Sequence, residues 1–281
     1  MTTQRKRDRN DGPVAVPPIL YKYASWRNEY HRRLITHREI FFASARRFND
    51  PFDSAIPLRY DLMTREQEVE FLKRMIPFEF PHARPNEIEQ LALERLNSGW
   101  LNESNKSERV EAMLLEDTYR TVGLFSVTEV HDSILMWSYY ADRHSGFCVG
   151  YDQLALTEYI NKLGDTSPLL FDKERVLYSP EYLELNPGEL DARQYFLMRT
   201  HIKSLEWKHE KEWRFVVFGT TDYALELPSG IIKRVVLGCR ISDEHRKEIV
   251  SFAEESLGPS VVLFQAKTKR AEFGLELAPL A

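Results

Sequence analysis

Residues 207–218 read WKHEKEWRFVVF, and this stretch decides how the rest of the chain is read. From Glu210 onward it alternates as a β-strand does, with successive side chains on opposite faces. Glu210, Glu212, Arg214 and Val216 fall on one side, and Trp213, Phe215 and Val217 on the plainly apolar other side. Two carboxylates and a guanidinium spaced two residues apart lie about 7 Å from one another in an extended chain. Such a row is either a solvated face that neutralises itself or a site where a carboxylate grips a hydroxyl or a developing positive charge.

Working outward, further strands are expected at Ile19–Tyr23, Glu39–Ser44, Leu124–Thr128, Phe147–Tyr151, Arg175–Tyr178, Ile231–Leu237, Val261–Gln265 and Phe273–Leu277. Helices are expected at Arg27–Thr36, after the Asp132 cap, over Glu189–Leu205, and at Ser242–Leu257 with Ile249, Ala253 and Leu257 on one stripe. Between Asp61 and Thr121 the pattern turns helical. Thr64 and Gln67 form a capping box, Pro77, Pro81 and Pro85 separate a first helix from a second, and a third runs over Ser107–Arg120. Thirteen acids against eight bases make residues 61–120 the acidic part of the chain, read as a helical insertion at about 61–121. Strands and helices mix without regular alternation, and a Gly-rich dinucleotide turn is missing, so the class is α+β. The division is a flexible tail over residues 1–18 and a single domain over 19–281.

Composition narrows the function. With 281 residues, 43% hydrophobic and 12% aromatic, the chain can bury a large core. No uncharged apolar run approaches the roughly 18–20 residues of a membrane span, and Met1–Asp11 does not read as a secretory signal. A cytoplasmic protein is expected. A net charge of −5 argues against a sequence-independent nucleic-acid coat and leaves room for a local basic patch. Cys148 and Cys239, far apart and without metal spacing, read as buried free thiols. The histidines are dispersed, and no metal is expected.

Two further stretches carry polar chemistry. FFASARRFNDPFD, residues 41–53, leads from a strand ending in Ser44 into a loop holding Asn49, Asp50 and Asp53, suited either to a ligand or to an Asx-turn. MWSYYADRHSG, residues 136–146, places Trp137 and Tyr140 on one helical face with His144 in the following turn, as core or as a stacking platform for a flat ring. Glu206 and Lys208 form an E-x-K pair that a metal-dependent nuclease could use with Asp50 or Asp53.

FNDPFD, WSYYADRHSGF and WKHEKEWRFV, followed by IIKRVVLGCRIS, resemble in their order the bacterial and phage family known as domain of unknown function 2971. Beneath it, LYKY, FFAS and EKE are similar to the three signature strands of ADP-ribosyltransferases. That second resemblance implies a split mixed or antiparallel sheet with flanking helices and transfer of ADP-ribose from NAD to a protein or nucleic-acid acceptor, in a toxin or phage-defence setting. It implies Glu212 as the catalytic carboxylate and Glu210 as the group orienting the acceptor. Tyr21 or Lys22 takes the first-strand position and Ser44 the bracing hydroxyl, while Asn49, Asp50, Trp137, Tyr140, His144 and Arg214 are candidate contacts to the cofactor. The alternatives are a non-enzymatic module whose cluster of Glu212, Arg214, Asp50 and Tyr140 captures a ligand or partner, and the metal-dependent nuclease.

Overall fold

The computed structural model describes residues 16–102 and 104–280. In chain order the strands are β1 (Ile19–Ala24), β2 (Glu39–Ser44), β3 (Val122–Thr128), β4 (Phe147–Asp152), β5 (Leu170–Arg175), β6 (Leu177–Ser179), β7 (Ile202–Ser204), β8 (Glu212–Phe218), β9 (Tyr223–Glu226), β10 (Ile232–Leu237), β11 (Val262–Thr268) and β12 (Leu275–Pro279). The helices are α1 (Glu29–Thr36), α2 (Arg65–Glu79), α3 (Pro85–Asn97), α4 (Ser104–Thr121), α5 (Ile134–Tyr140), α6 (Gln153–Thr166), α7 (Ala192–Thr200) and α8 (Asp243–Ser256). This is the α+β class expected, with parallel and antiparallel strand pairs mixed. Residues 1–15 of the expected tail lie outside the described residues. Where the sequence suggests one domain, the chain gathers into two compact units. The first is the chain up to Arg38, Thr128–Leu163 and Leu227 onward; the second is Glu39–Val127 and Gly164–Glu226.

The first unit is built on the strand order β12-β11-β10-β4-β1. β4, FCVGYD, is buried over its first five residues because it lies between β1 and β10 and is covered on both faces. β10 and β11 are parallel, so the chain must cross over between them, and α8 is that crossover. Ser242 caps α8 by accepting from the His245 N–H, and Ile249 and Ala253 are its buried stripe. Trp26, wholly buried, donates its indole N–H to Glu248 of α8 at 2.6 Å. The core beneath α5 contains Tyr21, Tyr23, Met136, Trp137, Cys148 and Val236.

The second unit has the order β5-β8-β3-β2-β9, with β6 and β7 forming a separate parallel pair. α2, α3 and α4 are the helical insertion and enclose a core of their own, including Phe71, Leu72, Met75, Ile76, Ala92 and Leu96. The Thr64–Gln67 capping box forms as expected. Pro77, expected to end the first helix, sits inside α2. Proline's fixed φ is helical, so only one N–H is lost, and the Phe80 N–H closes the helix onto the Ile76 carbonyl at 2.8 Å. Trp100 falls in a separate short 3-10 turn rather than in α3.

Four elements were not foreseen. β5 precedes the strand expected at Arg175–Tyr178, and the helix expected over Glu189–Leu205 is only α7, Ala192–Thr200, with β7 formed where Leu177–Ser179 pairs with Ile202–Ser204. α6 stands where a polar connection was expected; its buried stripe is only Gln153, Leu156 and Ile160, diluted by charged and polar neighbours. β9 pairs with β2 from Glu39↔Glu226 to Phe42↔Tyr223 and is too short to stand out from its turn-rich surroundings. Glu210 also departs from expectation. It ends a 3-10 turn, Leu205–Glu210, and Lys211 takes a left-handed φ of 45° before β8 begins at Glu212.

Candidate functional site

In the second unit, the strand alternation puts Glu212 and Arg214 on one face of β8, as the spacing requires. That face is not solvated: the first six residues of β8 are buried, and Arg214 has no exposed surface. Its guanidinium is therefore satisfied internally. Nε donates to Glu212 Oε1 at 2.7 Å and Nη2 to Glu212 Oε2 at 3.1 Å. Nη1 and Nη2 fork onto the two oxygens of Asp53 at 2.8 and 2.6 Å, and Nη1 also donates to the Thr200 carbonyl. Lys203, on β7, reaches Glu210 Oε2 at 2.6 Å, Glu212 Oε2 at 3.2 Å and Asp53 Oδ2 at 3.6 Å. Phe48 lies over the guanidinium at 5.2 Å and Trp207 over the ammonium at 4.9 Å.

Three carboxylates thus share two cations in a buried cluster. Burial alone would raise the Glu212 carboxyl, but Arg214 and Lys203 outweigh it and hold the group far below the usual carboxylate range. Burial likewise opposes the charge on Arg214 and on Lys203, and the facing carboxylates overcome it in both, so each is held more firmly protonated than usual. Glu212 is consequently a permanent anion. Its backbone N–H donates to the Tyr178 hydroxyl at 2.8 Å, and the Ser126 side chain on β3 bonds its carboxylate.

The hydroxyl expected there was that of Ser44, and the structure puts Ser44 elsewhere. Ser44 pairs with Gly123, while the neighbouring Val122 bridges Thr220 beyond the end of β8. Glu212 opens β8, so the two lie at opposite ends of a strand about 20 Å long. Ser44 Oγ donates to the Tyr119 carbonyl at 2.7 Å, and its N–H donates to Asp222, which also accepts two bonds of 2.9 Å from the Arg47 guanidinium. Asn49 is exposed. Asp50 makes the Asx-turn, accepting from the Phe52 N–H at 2.9 Å, while its buried Oδ2 has no hydrogen-bond partner. Glu210, though off the strand, still joins the cluster through Lys203. Sequence reasoning missed Lys203 and Ser126. The one available signal for Ser126 was a hydroxyl inside the otherwise apolar run VGLFSVT.

His201 follows α7, is 6% exposed, and its Nε2 has no partner. Burial, and then the Arg214 charge, push its imidazole down from 6.5 to about 4. The unfolded chain therefore takes up this proton first as pH falls. Stability from this group is complete above pH 6.5 and is lost as pH drops through that window towards 4. Urea titrations should show about 2–3 kcal/mol less stability at pH 4.5 than at pH 7 from this residue. His201→Gln should remove that part of the difference, and an unchanged difference would rule the assignment out.

The remaining expected residues belong to the first unit. Tyr21 is buried on β1, where its hydroxyl accepts from Arg234 Nη1 at 2.8 Å and its ring meets His131 edge-on at 5.1 Å. Lys22 is half-buried on the same strand. Trp137 is fully buried and donates its indole N–H to the His131 carbonyl at 2.9 Å, so it is core and offers no platform to a ligand. The ring that stacks on it is His144, inclined by 15° at 6.4 Å. Tyr140 packs against the same core.

His144 ends a run of three non-glycine residues in the left-handed region: Asp142 at φ 46°, Arg143 at 53° and His144 at 71°. Each costs on the order of 1 kcal/mol or more and persists only where the surroundings impose it. Here the Gly146 N–H closes onto the Ala141 carbonyl at 2.8 Å, the Arg240 N–H onto His144 at 2.9 Å and the Gly238 N–H onto Gly146 at 2.9 Å. The approach needs glycine at both places: a Cβ on Gly146 would lie 2.2 Å from the Ala24 carbonyl oxygen, and one on Gly238 2.2 Å from that of His144.

This packing fixes His144, Cys239 and Arg240 beyond the C-terminal ends of β10 and β11, where α8 begins. In sheets with helical crossovers, ligands settle outside the carboxyl ends of parallel strands. An open cleft of about 1420 Å³ lies there, lined by His144, Cys239, Arg240, Arg246, Gln265 and Lys267 among others. Burial, aided by Arg240, lowers the His144 imidazole, and burial raises the Cys239 thiol, so both are neutral at pH 7. Cys239 is only half-buried, unlike Cys148. Gln265 Nε2 is spent on the Gly238 carbonyl at 2.8 Å, while Gln265 Oε1 and His144 Nδ1 are buried atoms without a hydrogen-bond partner. Among the described residues, no group of three or more His, Cys, Asp or Glu side chains could hold a metal ion, and no helix is long and apolar enough to cross a membrane.

The arrangement is that of an α+β protein carrying a closed ionic cluster in one unit and an open polar cleft in the other. Residues 136–215 match the model of a family described as protein of unknown function (DUF2971), which supports the family that the ordered motifs resemble. The match runs from the helix bearing Trp137 through His144 and Lys203 to the strand bearing Glu212 and Arg214. No curated protein and no solved structure matches the chain.

Proposed function

We propose that the chain is a non-enzymatic binding module for an anionic partner, received in the cleft of the first unit. One observation carries the reading: Arg240, Arg246, Lys267 and Arg270 line that cleft without an ion-pair partner among the described residues. Asp243, Glu272 and Glu276 line it too, but Glu272 is already paired with Lys269 at 2.6 Å. On a chain of net charge −5, a cleft with cations in excess is a local attractive field for anions. The two orphaned polar atoms, Gln265 Oε1 and His144 Nδ1, are further groups that a partner would satisfy.

The second unit supports binding over ADP-ribosyl transfer. A carboxylate that is to grip a ribose hydroxyl must be available, and both oxygens of Glu212 are held by Arg214, one of them by Lys203 as well. Ser44 spends its hydroxyl on main chain.

Thermal unfolding tests the reading with two anions, a short heparin oligosaccharide and NAD. At a hundredfold excess over Kd, a bound anion adds about 2.7 kcal/mol, a rise in Tm of about 5–10 °C. Heparin should give that rise, and Arg240→Glu combined with Arg270→Glu, both exposed, should abolish it without lowering the Tm of the free protein. No rise with either anion would end the reading. Release of nicotinamide from NAD would replace it with the transferase.

A further inference from the structure

We infer that the anionic partner is single-stranded nucleic acid, its phosphates on Arg240, Arg246, Lys267 and Arg270 and one base stacked on Phe273. The inference rests on the binding-module reading and names its partner.

Phe273 is fully exposed, at 101%, and lines the same cleft as the four cations. Scattered exposed apolar residues are ordinary, but this one is presented by a loop that closes on itself. The Lys269 N–H donates to the Gly274 carbonyl at 3.0 Å, and the Lys269 ammonium pairs with Glu272 at 2.6 Å. The segment between β11 and β12 is thereby held with the phenyl ring outward, so little ordering remains to be done when a flat partner stacks on it. A cationic groove joined to an aromatic face is the combination that takes single strands: the groove tracks phosphates, and every base has a π-face. Gln265 Oε1, buried in the cleft and unpartnered, can accept from the amino group of a base.

The neighbouring side chains separate this partner from two others. A duplex keeps its base faces stacked on each other and leaves Phe273 nothing to cover. An anionic bilayer would meet Asp132 and Glu272, which share a small hollow with Ile134, Leu135 and Phe273, so carboxylates would enter beside the apolar side chains.

The test is fluorescence anisotropy on the full chain with three probes: a labelled 12-nucleotide mixed-sequence single strand, its blunt duplex, and labelled heparin oligosaccharide. The single strand should bind at least about tenfold more tightly than the duplex, with log affinity falling by about 0.7 per log salt for each phosphate engaged. Phe273→Ala should weaken the single strand by about 5- to 100-fold, the range of one base–aromatic stack, and leave heparin unchanged. Its Tm should equal that of the parent, since the ring touches nothing that folding buries. Arg240→Glu with Arg270→Glu should weaken both probes. Equal binding of duplex and single strand, or no effect of Phe273→Ala on the strand, would overturn the inference; in those cases retained heparin binding leaves the module standing. Failure of heparin as well would remove both.

Discussion

Replacing Arg214 with methionine is expected to cost about 3–5 kcal/mol, the loss found when one partner of a buried ionic group is removed. The substitution keeps most of the side-chain volume, so packing does not explain the loss. It strands Asp53 and Glu212, 4% and 5% exposed, with only Lys203 between them and with Glu210 competing for the same ammonium. Carboxylates in that position must be protonated or the segment must open. The Arg214→Met chain should therefore regain part of its stability when pH is lowered towards the ordinary carboxylate range, where the parent begins to lose stability because its unfolded chain takes up the proton that native Glu212 refuses. Urea titration of Arg214→Met, alone and combined with Asp53→Asn and Glu212→Gln, gives the coupling directly. The combined variant should be more stable than Arg214→Met alone. A loss below about 1 kcal/mol for the single variant would mean that the cluster behaves as exposed ion pairs do.

The second large effect is expected from one methyl group. Gly238→Ala would place a Cβ 2.2 Å from the His144 carbonyl oxygen and 2.9 Å from that of Gly146. Both obstacles are main chain, so no side chain can swing away, and the ends of β10 and of the 142–146 loop must separate. Overpacking of this kind costs about 3 kcal/mol, a fall in Tm of about 6–12 °C. Because Arg240 and His144 are positioned by the same bonds, heparin binding should weaken in parallel. A control at Gly230, where a Cβ meets nothing within 4 Å but φ is +92°, should cost only the smaller strain of a left-handed residue. Equal losses at the two glycines would show that contact with the loop is not the cause.

What could be read in advance followed the range of the interaction. Local signals were legible: the Thr64–Gln67 box, Pro85 at the first turn of α3, and the apolar runs that became β4 and β10. The strand period correctly placed Glu212 beside Arg214. It could not reveal that Asp53 and Lys203 would close the group, since Asp53 arrives from a distant segment and Lys203 belongs to no motif. Nor could it place Ser44, because the register between β2, β3 and β8 depends on long-range pairing that a single strand does not encode. The 142–144 turn was equally hidden. Asp, Arg and His have no shared preference for positive φ, and only Gly146 and Gly238, residues that permit the close approach, hint at it. The basic cleft was foreseen only as a permitted local patch, its cations being spread from Arg240 to Arg270.

The first unit is drawn from three separated stretches, and its central strand takes its two neighbours from the earliest and latest of them. During synthesis β1 and β4 can pair early, but the ribosome must then add everything from Asp152 to Ile232 before β10 exists. At ordinary elongation speeds that interval is on the order of ten seconds. Throughout it, the edge of β4 that β10 will occupy presents unpaired backbone N–H and C=O groups, on a strand composed largely of Cys, Val and aromatic residues. Slowing translation between those two strands should therefore favour clumping over native product.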